Sequence, residues 1–283
     1  MREGTSALRR WLITWVLVGL AATPAYAHDD AVTIPRLSEA LKRGDHPADR
    51  LLLRAELERG DRLWAAAKRD LDRAARLVPG SAALARCRAA LALDRDRPRE
   101  ALRALADCTD PELARDPRVP WQRVEALTRL GRLDEAAAVA DQALSDPQAG
   151  TPERYLVRAS LAERRPGEGA PGAVTILAAA LERWPATWNL LSRLVDLDVG
   201  LERYDDALAR IDEVLSRVQR PEGLLERRGQ VLALAGREWE AREAWTTALE
   251  GLEARPVMNA AARQLAGRLR ASLAAPLENG GPP

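Results

Sequence analysis

The sequence predicts an all-α fold, a solenoid of about six helix-turn-helix repeats closed by a C-terminal capping helix. Three observations predict it. An arginine recurs at Arg54, Arg88, Arg123, Arg158, Arg193 and Arg228, at intervals of 34, 35, 35, 35 and 35 residues. Each arginine sits in an apolar-periodic stretch of helical length, and a break and a second amphipathic stretch follow it. A proline then closes each unit, at Pro79, Pro111, Pro147, Pro185, Pro221 and Pro256, because proline cannot continue a helix and turns the residue before it away from helical angles. A period of about 20 to 50 residues marks units that bury their apolar faces only by stacking on their neighbours.

The first 27 residues read as an export signal. Arg2, Arg9 and Arg10 give the positive start, Trp11 to Ala22 the apolar stretch and Ala25-Tyr26-Ala27 the cleavage signature. The apolar run is short for a bilayer span of about 20 residues and is broken by Pro24. The mature chain is therefore expected to begin at His28, in the periplasm or outside the cell. Arg9-Arg10 also suits a twin-arginine route, although ordinary secretion is the expectation. Residues 28–46 form a lead-in segment, 47–256 the repeat array, 257–275 the capping helix and 276–283 a Gly/Pro-rich tail expected to be disordered. With 43 basic and 42 acidic residues the chain carries +1, and removal of Arg2, Glu3, Arg9 and Arg10 leaves about −1. Such a balance argues against nucleic acid, which needs a basic face that releases counterions, and against anionic membrane for the same reason. Of the 43 basic residues only Lys42 and Lys68 are lysine, so arginine is abundant throughout.

Within the array, first helices carry Arg54-Ala55, Arg88-Ala89, Arg123-Val124, Arg158-Ala159, Arg193-Leu194 and Arg228-Gly229. Breaks follow at Gly60-Asp61, Asp96-Arg97-Pro98, Gly131, Arg165-Pro166-Gly167, Gly200 and Gly236. Second helices carry an acid before alanine in four units, Glu100-Ala101, Glu135-Ala136, Asp206-Ala207 and Glu240-Ala241, and end on Ala74, Cys108, Ala143, Ala180, Val214 and Ala248. Small residues suit places where helix backbones approach closely, and leucine there is expected to overpack the contact by about 1 to 3 kcal/mol. After Pro256, Met258, Ala261, Leu265, Leu269 and Leu273 form an apolar stripe suited to covering the last repeat.

These residues resemble the tetratricopeptide repeat (TPR) family, whose unit is a helix-turn-helix of about 34 residues. The sixth unit matches best, through Gly229, Gly236, Ala241, Trp245, Ala248 and Pro256, and the third follows, through Val124, Gly131, Ala136, Ala143 and Pro147. Unit one has extra residues between Gly60 and Ala74, unit four an insertion from Arg164 to Gly172, and units two and five hold Asp96 and Glu202 where the turn glycine belongs. The resemblance spans about Pro47 to Pro256. It implies a right-handed α-solenoid and a concave surface lined by the first helices, where a peptide or partner helix would bind. Flanking the recurrent arginine, that surface would offer Leu52, Arg86, Trp121, Leu156, Leu191 and Glu125, with Trp121 as the anchor. The recurrent arginines themselves are read as structural, paired with acids on neighbouring helices. A guanidinium ladder for a carboxylate ligand is the alternative. The lysine and asparagine pattern with which some members clamp a chaperone's terminal carboxylates is absent. Trp184, Trp188, Trp239 and Trp245 read as packing residues at unit junctions.

Cys87 and Cys108 are the two cysteines. The start of a first helix lies beside the end of its antiparallel second helix, so in an oxidising compartment a disulfide is expected, contributing about 3 kcal/mol. The alternative leaves both thiols free, Cys108 standing in place of the recurrent alanine. Histidine occurs at His28 and His46 alone. No G-x-S-x-G, phosphate loop, H-E-x-x-H or C-x-x-C occurs, so no enzyme, cofactor or metal site is expected. The expected function is a scaffold or adaptor of the bacterial envelope that binds another protein, and the alternative is a small-ligand or copper carrier using an N-terminal His28.

Overall fold

The computed structural model describes residues 27–44, 47–146, 150–185 and 187–275, with side chains from residue 34 onward. The expected export signal, the His28 side chain, His46, Pro147 and the tail lie outside the described residues. The described chain is helical without a strand, and it falls into two compact units that meet in sequence at Leu130 and Gly131, at the turn of the third repeat.

In the first unit, α1 (Ala27–Lys42) packs on α2 (Pro47–Gly60), which forms a hairpin with α3 (Trp64–Leu77). The next hairpin is α4 (Ala82–Asp94) with α5 (Pro98–Ala106), followed by the single turn α6 (Glu112–Arg115) and α7 (Val119–Arg129). The lead-in segment is thus a helix, fixed where Arg54 donates to Ser38 Oγ at 2.9 Å and where Ala40 is buried. In the second unit, α8 (Leu133–Leu144) precedes the hairpins α9 (Pro152–Arg164) with α10 (Gly169–Arg183), α11 (Trp188–Gly200) with α12 (Tyr204–Leu215) and α13 (Glu222–Leu234) with α14 (Glu238–Glu253), and α15 (Ala260–Ala274) closes it.

All six turns share one backbone feature. Arg62, Asp96, Gly131, Gly167, Glu202 and Gly236 have φ of 60°, 54°, 73°, 93°, 59° and 74°. Four of them sit in a Schellman stop, in which the next N–H reaches back five residues: Leu63 to Glu58 O, Arg97 to Ala92 O, Arg203 to Asp198 O and Arg237 to Leu232 O, at 2.7 to 2.9 Å. Gly60 and Gly200, the expected breaks of units one and five, instead end α2 and α11. Counted from Arg62, unit one is regular, and the extra residues seen from Gly60 disappear.

Five residues after each left-handed position stands Ala67, Ala101, Ala136, Gly172, Ala207 or Ala241, and the five alanines are all 0% exposed. Gly172 accommodates the insertion of unit four, since a Cβ there would meet Glu168 Cβ at 2.9 Å. On the first helices, Gly229 lies under the Trp245 indole, which a methyl at that position would strike.

Each core cluster joins a hairpin to the first helix of its successor. Leu51, Leu71 and Ala74 of α2 and α3 pack with Leu84, Cys87 and Leu91 of α4. Ala89, Leu93, Ala101 and Leu105 of α4 and α5 pack with Val119 and Ala126 of α7. Leu177 with Leu190 and Leu194, and Ile211 with Leu224 and Val231, repeat the scheme in the second unit. The last cluster, Ala248 and Leu252, is covered by Ala262, Ala266 and Leu269 of α15, whose start is capped where Asn259 accepts from Ala262 N at 2.9 Å. Of the stripe expected there, Leu269 is buried and Met258 and Leu265 pack against the cluster, while Ala261 is exposed and Ala262 takes the buried place.

A left-handed residue with a side chain costs on the order of 1 to 3 kcal/mol, partly offset in glycine by the entropy of its unfolded chain. Glu202→Gly is therefore expected to stabilise the protein by about 0.5 to 1 kcal/mol, read as a rise of a few degrees in the thermal midpoint by circular dichroism.

Candidate interaction surface

The recurrent arginines lie between helices. Arg54 donates to both carboxylate oxygens of Asp70 at 2.5 and 2.7 Å, across the hairpin from α2 to α3. Arg88, Arg158 and Arg228 instead reach the preceding second helix, meeting Asp72 at 3.7 Å, Asp141 at 2.6 Å and Asp212 at 2.8 Å. Arg158, itself buried, also meets Glu168 at 2.8 Å and holds that carboxyl below the ordinary range. Arg193 grips both oxygens of Glu163 at 2.5 Å, while Arg123 stands exposed. Five of the six guanidinium groups are thus engaged by the chain's own acids, and the ladder they would offer a carboxylate ligand is already occupied.

A second series of ion pairs ties first helices to one another. In the first unit, Arg86 of α4 meets Glu56 of α2 at 2.5 Å and Asp116 at 3.3 Å. Asp116 also takes Arg118, chiefly through a side-chain hydrogen bond that lowers its pKa. In the second unit, Asp196 of α11 pairs with Arg227 of α13, and Glu226 of α13 accepts two bonds from Arg268 of α15, at 2.7 and 2.9 Å. Burial pushes the Asp196 carboxyl up.

Against this frame the expected groove residues separate. Leu52 is 7% exposed and Leu191 2%, each inside a core cluster, so neither is open to a partner. Each shares its cluster with residues of the second helix and of the next first helix. Trp121 and Leu156 are half-buried, Arg86 is held by its two acids, and Glu125 pairs with Arg129. The structure exposes other apolar side chains instead: Leu53 of α2, Trp188 at the start of α11 and Leu234 at the end of α13, at 45%, 51% and 57%. Trp188 and Trp239 are therefore not the packing residues expected of them, both being exposed. Trp184 does pack, edge-on to Tyr155 with centroids 5.6 Å apart and beneath the Arg183 guanidinium. Trp245 packs on Gly229 and donates its indole N–H to Glu226 O at 3.2 Å.

The expected disulfide is absent, and both cysteines are free thiols. Cys87 lies on the side of α4 that faces α2, within 3.5 Å of Glu56, whereas Cys108 follows α5 and donates to Gly80 O at 3.2 Å. The two sulfurs belong to successive core clusters on opposite sides of α4. Burial, with Glu56 beside it, pushes the Cys87 thiol up to about 12. Cys108 instead borders a cavity of about 300 Å³ lined also by Ser81, Leu84, Arg88, Arg103 and Asp107. Unfolding is thus required to expose one thiol and not the other. A disulfide-exchange reagent is expected to titrate one thiol per native chain and two in denaturant, and Cys108→Ser should abolish the native reaction.

Among the described residues no group of three or more His, Cys, Asp and Glu could hold a metal ion. One acid is nonetheless unusual. Glu58 is 8% exposed, lies 3.7 Å from Arg54, and has a buried oxygen without a hydrogen-bond partner. Desolvation first, then the Asp70 charge, raise its pKa above 4.5. The fold therefore favours its protonated form. That contribution is whole below pH 4.5 and is lost as pH rises through the raised value. Glu58→Gln is expected to gain stability relative to the parent chain between pH 4 and 7 in denaturant titrations, and a constant difference would refute the assignment.

The chain matches no family model and no curated protein sequence. Among solved structures it is similar to a tetratricopeptide repeat protein from Parabacteroides merdae, at 16% identity and a TM-score of 0.52, covering 86% of this chain and 93% of that one. It is similar to PilW, described as a widely conserved type IV pilus biogenesis factor, at 16% identity and a TM-score of 0.51, covering 75% and 96%. PilF of Pseudomonas aeruginosa aligns at 15% identity and a TM-score of 0.53, covering 80% and 98%. The chain is a TPR-like helical-repeat protein in its fold.

Proposed function

We propose that the protein is an exported, non-enzymatic scaffold or adaptor of the bacterial envelope that binds another protein along its first helices. The exposed Trp188 and Leu234 carry this reading. They stand on α11 and α13 of the second unit, the helices joined by the Asp196–Arg227 pair. An exposed tryptophan on a rigid helix supplies contact area at low entropic cost, and such residues dominate interface energetics. The Asp196–Arg227 pair on the same two helices is neutral as a unit, which suits a peptide or helix of mixed character. Half-buried Trp121 serves the first unit in the same way. The export part rests on residues 1–27, whose pattern ends at Ala27.

Pull-down from an envelope fraction, read by mass spectrometry, tests the binding. A partner is expected to be recovered with the parent chain and lost with Trp188→Ala/Leu234→Ala bait, and equal recovery with both would overturn the assignment. N-terminal sequencing of the exported form should begin at His28.

A further inference from the structure

We propose that the outward face of α3 docks the protein onto an anionic phospholipid surface. The buried side of this helix is Ala67, Asp70, Leu71 and Ala74. Its other side presents Lys68, Arg69, Arg73 and Arg76 against the single acid Asp72. Lys68 lies 2.6 Å and Arg88 of α4 3.7 Å from that acid, and Arg73 lies 3.9 Å from Asp70, which Arg54 already holds. Arg69 and Arg76 have no carboxylate within 4.0 Å among the described residues, although the Arg69 charge acts on Glu58 from farther away. Apolar side chains stand at both ends of the row: Leu63 and Trp64 at the start, 52% and 37% exposed, and Leu77 at the end, 50% exposed.

This combination is the chemistry of a lipid interface. Guanidinium groups take phosphate oxygens in pairs, tryptophan settles at headgroup depth, and a basic row between apolar tips lies in the plane of an anionic leaflet. No helix among the described residues is long and apolar enough to cross a membrane, so the contact is peripheral. Near-neutral total charge does not oppose it, because in physiological salt the field of a patch extends only about 8 Å and the local balance decides. Nor does arginine abundance account for it. The outward side of α14 carries Glu243, Glu250 and Glu253. The inference does not depend on the protein-binding role, which uses other helices.

Co-sedimentation of the full chain with vesicles tests it, comparing phosphatidylglycerol mixed into phosphatidylcholine with phosphatidylcholine alone. Apolar residues 11–22 would contribute to both, so the readout is the increment that phosphatidylglycerol adds. That increment should vanish in 0.5 M salt, fall more than about twentyfold in Arg69→Glu/Arg76→Glu at roughly fivefold per basic residue, and fall in Trp64→Ala. It should persist in Glu243→Gln. No increment, or an increment untouched by the arginine reversals, overturns the proposal. Arginine-dependent binding to polyglutamate with none to vesicles also overturns it, in favour of an acidic protein partner.

Discussion

Close approach of helix backbones governs this fold. A left-handed residue stops the first helix of each repeat, and within each unit a residue with little or no side chain five positions later lets the second helix lie against the first. Ala67, Ala101, Ala136, Ala207 and Ala241 have no exposed surface at all, so that even one added methylene has nowhere to go. Packing of the leucines, the placement of the arginines and the exposure of the tryptophans all follow from that spacing.

Charge then operates between helices already held by apolar contact. The arginines bridge α2 to α3, α3 to α4, α8 to α9, α9 to α11 and α12 to α13. Most of these pairs are half-exposed, where a single ion pair contributes about 1 kcal/mol or less. Their effect lies in register, since a hairpin slipped by one turn would leave an arginine such as Arg158 buried without its acids. The same pairing neutralises much of the surface that the resemblance assigns to ligand binding.

The hairpins, their order and the closing helix were legible in sequence because the arginine recurs in every unit and a small or compact residue recurs on most second helices, and each series reports on packing. The turns were less so. Arg62 and Glu202 adopt the conformation that glycine supplies elsewhere, and side chains that merely tolerate a backbone angle leave no mark in composition. Gly60 drew the assignment of the first turn two residues early for that reason, whereas Glu202 was placed by the period alone. Glycine is missing from three of the six left-handed positions, which makes the units less recognisable as a sequence family than as a shape. Site residues were harder still. Leu52 and Leu191 were placed on the groove by their offset from the recurrent arginine, yet both are buried in core clusters. Trp188 shares its chemistry with Trp245, and what distinguishes the two is the glycine opposite Trp245.

Overlap of the core clusters has a mechanical corollary. In the second unit every hairpin surrenders part of its own interior to the helix that follows, and among the described residues α15 is the last helix of the series. Tension applied at the C-terminus would therefore peel that helix first. Its departure would bare Ala248 and Leu252 before any other cluster opened, so that disassembly travels from the end inward, one hairpin at a time.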